Sequence, residues 1–287
     1  MGSNPIFSEK IFRLFYMMRL VQTQKHPFHV VDSSPWPLFT ALSVFLTFSG
    51  LTLYMHFYSK GGFILALGLF FVVICASFWW RDVVREATFE GQHTSFVRNG
   101  LKMGMVLFII SEAMLFFAFF WGFFHASLNP VPEIGCVWPP KGIEALNPFH
   151  VPFLNTLVLV HSGAMVTWAH YSVLAGNRRD AISALIFTIL LAVFFTFLQA
   201  YEYVNAPFGL SDNVYGSVFF MTTGLHGFHV IIGTLFLAVC LIRLITHHLT
   251  KKIHVGFEAA IWYWHFVDVV WIFVFIFIYW WAFPVEV

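Results

Sequence analysis

Seven apolar runs, each long enough to cross a bilayer, constrain this chain more than any other feature. A crossing needs about 20 largely apolar residues, and such runs stand near 36–57, 62–84, 99–127, 153–174, 181–204, 214–243 and 257–283. Lipid offers backbone groups no partners, so segments of this length must satisfy their hydrogen bonds internally, as helices. The predicted fold is an all-α integral membrane protein with seven transmembrane helices. Composition points the same way. Of 287 residues, 59% are hydrophobic and 10% charged, against about 25% charged in a soluble domain. So little charge cannot cover a soluble surface of this size. The third and sixth runs exceed a straight crossing, which predicts tilt or protrusion.

The interruptions are Lys60-Gly61-Gly62, a charged stretch over 81–98, a Pro-rich connection from Asn129 to Pro152, Gly176 to Asp180, the Ala206-Pro207 turn, and His247 to His254. None is long enough for a separate soluble domain. Residues 34–287 therefore read as one transmembrane domain, and 1–33 as a segment on its inner side. In that segment Ile11, Leu14, Phe15 and Met18 share a helical face, with Lys10 and Arg13 turned away. This is the pattern either of a short helix on a membrane surface or of an unstructured tail. The Met-Gly start does not signal myristoylation, because Ile6 occupies the position that needs Ser or Thr.

Basic residues orient the bundle. With the amino terminus inside, the inner segments collect Lys10, Arg13, Arg19, Lys25, Arg81, Arg85, Arg98, Lys102, Arg178, Arg179, Arg243, Lys251 and Lys252, leaving Lys60 and Lys141 outside. The positive-inside rule then places the amino terminus inside and the carboxyl terminus outside. A net charge of +1 gives no reason to expect nucleic-acid binding. Cys75, Cys136 and Cys240 lack CxxC spacing and read as packing residues rather than metal ligands.

Polar groups inside the runs carry the chemistry. The last run opens GFEAAIWYWHFVDVVW, so Glu258, His265 and Asp268 lie on one spanning helix. An acid at the centre of a bilayer costs about 2.5–3.5 kcal/mol, so these groups should face protein. In FIISEAMLFFAFFW, Glu112 has no basic residue within a helical turn. It is either a hydrogen-bonded packing residue or a proton-related group. WWRDVVREATFEGQHT, 79–94, puts indoles at an interface and lets Asp82 pair with Arg85 three residues on. Arg81, Arg85 and His93 either cap a helix or present donors to phospholipid phosphates. Arg243 can snorkel to a phosphate. The 14 histidines show neither the long paired spacing of bis-histidine haem nor the HxxxH and HxxHH boxes of di-iron desaturases. His226-Gly-Phe-His229 is followed by valine, so we expect no metal site.

The strings quoted above resemble the subunit III family of the haem–copper cytochrome c oxidases. SPWP at 34–37, CVWPPKGIEALNPF at 136–149, VTWAHYS at 166–172 and YGSVFFMTTGLHGFHVIIGTLF at 215–236 extend the resemblance over roughly 26–283. It implies a two-helix bundle (helices 1–2) and a five-helix bundle (helices 3–7) separated by a lipid-filled V-shaped cleft. It assigns phospholipid contacts to Trp80, Arg85, Glu86, His93, His229 and Arg243, with Gln92 departing from an expected histidine. Glu112 falls on the family's buried glutamate, discussed there in connection with proton supply.

The function so implied is that of a non-catalytic core subunit of an oxidase that reduces O2 with electrons from cytochrome c and pumps protons. Haem and copper would sit on the partner subunits I and II. Cytochrome c would be met only indirectly, and this chain would hold phospholipids but no redox centre. The implied location is the mitochondrial inner membrane, favoured over a bacterial plasma membrane by the lack of a presequence, with the amino terminus on the matrix side. Two other readings stay open on the residues alone. A transporter using Glu112 and Asp268 is opposed by the lack of internal repeats. A membrane redox enzyme is opposed by the histidine spacings.

Overall fold

A computed structural model describes residues 26–283. The proposed surface helix around Ile11–Met18 lies outside the described residues. The described chain is helical: α1 (Trp36–Met55), α2 (Gly61–Thr88), α3 (Ser95–Leu128), α4 (Val151–Ala175), α5 (Arg178–Asn205), α6 (Val214–Ile245) and α7 (Val255–Val274), with a short 3₁₀ turn at Pro132–Ile134 in the long connection between α3 and α4. The last helix continues as a π-helix over Phe275–Trp281. These seven are long and apolar enough to cross a membrane, as the apolar runs predict.

The boundaries differ from expectation at one place. The charged stretch 81–98 is not a loop. α2 runs to Thr88 and α3 begins at Ser95. Polar side chains do not end a helix whose backbone bonds remain paired; they let its end emerge from the apolar layer. Gly91, at φ 67°, turns the backbone within the six residues left between the two helices. At Gly176-Asn177 the turn chemistry is legible. Gly176 takes the left-handed conformation that closes α4, and the Asn177 side chain accepts from the Asp180 amide at the start of α5. A Gly stop followed by an Asn start is the expected chemistry at such a junction.

The chain divides between residues 100 and 101 into two compact units. In the first, α1 and α2 form a hairpin whose backbones touch. A Cβ on Gly50 would strike the Leu65 backbone, one on Gly61 the Tyr54 backbone, and one on Gly68 the Thr47 backbone. Small residues permit such close approach in membranes, where helix association relies on packing.

In the second unit, α4–α7 pack around fully buried Trp264, Trp271, Tyr279, Phe195 and Phe219. α7 is the most deeply buried helix, whereas the apolar face of α3 is mostly exposed. α3 reaches its unit through long side chains: Phe108 stacks on Tyr263, Phe116 meets Phe266, and Phe124 meets Phe277 and Trp281. The Pro-rich connection is anchored from above by Trp138, which packs on Phe123 and Tyr215.

Candidate functional site

The polar groups of the second unit pair across helices far apart in sequence. Glu112 on α3 meets His229 on α6, with His229 Nε2 2.8 Å from Glu112 Oε2. The sequence reading of Glu112 as an acid without a counter-group is thereby corrected. Its partner lies 117 residues on, where no spacing rule reaches. The other ring nitrogen, Nδ1, lies 2.8 Å from the Leu225 carbonyl.

This geometry sets the proton inventory of the pair. A carbonyl only accepts, so Nδ1 carries hydrogen and donates to Leu225. One further proton must then lie between Nε2 and Oε2. It belongs either to the carboxyl, which donates to a neutral imidazole, or to the imidazolium, which donates to the carboxylate. In both arrangements the pair is neutral overall and holds one transferable proton. Both ring nitrogens of His229 thus have partners inside the bundle.

At the other polar level, Lys102 on α3 forms an ion pair with Glu258 on α7, Nζ to Oε2 at 2.5 Å, and His254 Nε2 stands 3.4 Å from Glu258 Oε1. His170 on α4 lies edge-on to His254, ring centroids 5.6 Å apart. Asp268 is buried against Gly163, where a Cβ would strike its carboxylate, and faces His265 Nδ1 at 3.8 Å. Thr167 Oγ1 is 3.2 Å from His265 Nε2. Glu258 and Asp268 therefore face protein, as their cost in lipid requires, while the His265 side chain is 42% exposed.

Sequence reasoning missed one buried group. Tyr279 donates to Glu202 Oε1 at 2.5 Å, and the Gln199 amide donates to the Tyr279 hydroxyl at 3.2 Å. The Asn155 amide in turn donates to Gln199 Oε1. Gln199 and Glu202, three apart on one face of an apolar run, were the available signal. His226, singled out for its spacing to His229, donates from Nε2 to the Val267 carbonyl at 3.2 Å and is buried among aromatics.

In the first unit, Asp82 does not pair with Arg85. Trp36 Nε1 donates to Asp82 Oδ2 at 2.6 Å, and Arg81 donates twice to Oδ1 at 2.8 and 3.0 Å. An indole on the neighbouring helix and an adjacent guanidinium claim both oxygens first. Arg85 and Trp80 remain exposed at this end of α2. Glu86 and His93 lie half-buried close by, with His29 beside both. Arg243 sits in the second unit at the end of α6, half-buried, its guanidinium laid over Gly256.

Comparisons with known proteins match this architecture. The model of the family described as cytochrome c oxidase subunit III matches residues 26–283. The chain is 60% identical over 259 residues to cytochrome c oxidase subunit 3 of Prototheca wickerhamii, covering 90% of this chain and 99% of that one. It is 58% identical over 263 residues to the protein of that name from Arabidopsis thaliana, covering 92% and 99%. With that of the sea star Pisaster ochraceus it shares 58% identity over 260 residues, covering 91% and 99%.

Proposed function

The chain belongs to the cytochrome c oxidase subunit III family, and on that premise we propose that it serves its complex without a redox centre of its own. It is a multi-pass subunit of the oxidase that passes electrons from cytochrome c to O2. Haem and copper reside on the partner subunits I and II. This chain braces the catalytic subunit, retains phospholipid and supports proton uptake. The three relatives named above are eukaryotic, which supports the mitochondrial inner membrane as its location. The distribution of basic residues supports an amino terminus on the matrix side. Cysteines placed at Gly142 and Gly176 should then label from opposite faces.

The observation that carries the proton-related part is the Glu112–His229 pair, a half-buried site holding one transferable proton. Glu112→Gln tests it. The amide keeps the shape and can donate to Nε2, so assembly should persist. The transferable proton is lost, so fewer protons should be pumped per electron while O2 consumption continues. Unchanged pumping would make the pair a packing device.

The lipid role rests on Arg85, Arg243 and Trp80, which present charge and indole at helix ends. A hydrogen bond to a charged group contributes about 1.5–3 kcal/mol. Replacing both arginines by alanine should release phospholipid measurable by mass spectrometry of the purified complex. The absence of a redox centre is tested by separating the chain from its partners. One firmly bound haem, copper or iron would return it to the redox enzymes. The transporter reading is not favoured, since the family match spans all seven helices.

A further inference from the structure

We propose that His170, His254 and Glu258 bind one divalent cation of the zinc class, at the polar end of the bundle where α4 finishes and α7 begins. One nitrogen from each imidazole and one carboxylate oxygen lie within 4.8 Å of one another. His254 and Glu258 are four residues apart, so the start of α7 carries both on one face. His254 Nε2 stands 3.4 Å from Glu258 Oε1. Zinc takes imidazole nitrogen at about 2.0–2.1 Å and carboxylate oxygen at about 2.0–2.2 Å, which sets tetrahedral ligand atoms roughly 3.4 Å apart. Two of the three ligands therefore already have the spacing that the ion imposes. The His170 ring lies edge-on to that of His254, centroids 5.6 Å apart and planes at 65°, and its nitrogen has at most about 1.4 Å to close. Two histidines and one carboxylate are a sufficient protein donor set for zinc, with the fourth position open to water.

Unsatisfied nitrogens point to the ligand independently of this proximity. His254 is only 6% exposed, and among the described residues its Nε2 has no hydrogen-bond partner, nor has Nε2 of His170. Buried polar atoms are ordinarily paired. The other nitrogen of His254 is already committed. Nδ1 lies 2.9 Å from the Thr250 carbonyl, which only accepts, so Nδ1 carries the hydrogen and Nε2 keeps a bare lone pair. That lone pair faces a carboxylate oxygen, and two acceptors at 3.4 Å repel unless a proton or a metal ion lies between them. A proton would join His254 to Glu258 and leave the His170 nitrogen unpaired. A metal ion satisfies all three. A carbonyl on the far nitrogen is also the usual outer partner of a zinc-bound histidine, fixing its tautomer and orientation.

The backbone that carries the ligands is held by contacts independent of them. Lys251 Nζ donates to the Ala175 carbonyl at 2.7 Å, which fastens the connection before α7 to the last turn of α4. The His170 ring packs edge-on against fully buried Phe257. Preorganisation of this kind is what a metal site needs. Lys102 Nζ stands 2.5 Å from Glu258 Oε2, not from the Oε1 that faces His254. It leaves the ligand oxygen free and orients the carboxylate, while setting a positive charge beside the ion. The ammonium thus weakens the site without blocking it. Zinc has no redox chemistry, so the subunit stays without a redox centre. The site uses none of the residues given above to the proton pair or to phospholipid.

The experiment uses the assembled oxidase, freed of loosely held metal with a chelator and titrated with Zn2+ alone. The parent complex is compared with His170→Ala, with His254→Ala and, as control, with His161→Ala, which changes an exposed histidine of α4. The expected result is the loss of the same single zinc equivalent in the first two variants and its retention in the third. Affinity should fall by more than the roughly 10–100-fold that follows from changing an outer partner of a metal ligand. Lys102→Met should instead tighten binding roughly tenfold, the repulsion expected between a divalent ion and an ammonium about 5 Å apart in a water-like medium. Equal zinc in the parent and in both cluster variants would overturn the proposal, as would a loss confined to His161→Ala. Binding by Lys102→Met no tighter than the parent's would place the ion elsewhere and overturn it too. If the alanine variants do not assemble, crystals of the unaltered complex soaked in Zn2+ decide. An anomalous-difference peak at the zinc edge is expected between His170, His254 and Glu258, and a map without that peak would likewise overturn it.

Discussion

The α1–α2 hairpin and the α3–α7 bundle hold their helices together with opposite materials. The hairpin removes side chains: Gly50, Gly61 and Gly68 bring backbone onto backbone. The bundle adds them. α3 is joined to α6 and α7 by phenylalanines, a tyrosine and two charged or polar pairs, Glu112–His229 and Lys102–Glu258. In lipid neither device draws on water exclusion, since acyl chains are as apolar as leucine. Backbone contact gives a rigid fit that tolerates no added atom. Contact through long side chains leaves room, and polar pairs then supply the specificity. The difference teaches that glycines inside these helices are informative only where another helix comes close.

That contrast is broken most severely at Gly50. Leucine there would have to enter the Leu65 backbone, and overpacking costs about 1–3 kcal/mol even where side chains can yield. Gly50→Leu should therefore abolish accumulation of the assembled complex, read on native gels. The matched change Gly104→Leu, on α3 where a Cβ meets nothing within 4 Å, should assemble normally. Equal damage from the two would erase the distinction between the units.

The next effect is in the bundle interior. Tyr279→Phe removes a donor to buried Glu202, and an orphaned buried polar group costs about 1–3 kcal/mol. The midpoint of thermal inactivation should fall. Adding Glu202→Leu should recover part of the loss, because no acid then remains to be satisfied. A smaller effect is expected of Lys102→Met. The Lys102 and Glu258 side chains are 36% and 18% exposed, so their ion pair is worth about 1 kcal/mol after screening. Its removal should weaken as salt is added to the parent. The smallest is Trp36→Phe, which keeps the ring and loses one bond to Asp82. Arg81 still holds that carboxylate, so about 1 kcal/mol or less should be lost, visible as easier proteolysis of the α1–α2 unit.

Helix number and extent were legible because they depend on local properties. Apolar length fixed all seven helices, and Gly176-Asn177 and Gly91 marked turns by backbone chemistry. What the sequence hid is the rotation of each helix about its axis, which decides who meets whom. Asp82 was matched to Arg85 by helical spacing, yet Trp36 reaches it from 46 residues away. Glu112 looked solitary because its partner is on another helix. Glu202 drew no attention, since Tyr279, which donates to it, and Asn155, which holds its neighbour Gln199, stand on two further elements. The π-helix at Phe275–Trp281 likewise has no pattern in its composition. The polar stretch 81–98 misled in the other direction, by suggesting that a helix ends where its side chains become charged.

The pairing of Glu112 with His229 has an electrical consequence. The bond joins two membrane-crossing helices over 2.8 Å, against a hydrocarbon core about 30 Å thick. A unit charge carried through the whole membrane works against about 2.3 kcal/mol per 100 mV. Whatever the direction of the bond, a proton that hops from carboxyl to imidazole crosses at most about a tenth of this drop. Its position is therefore set by the two bases and their surroundings far more than by whether the membrane is resting or energised.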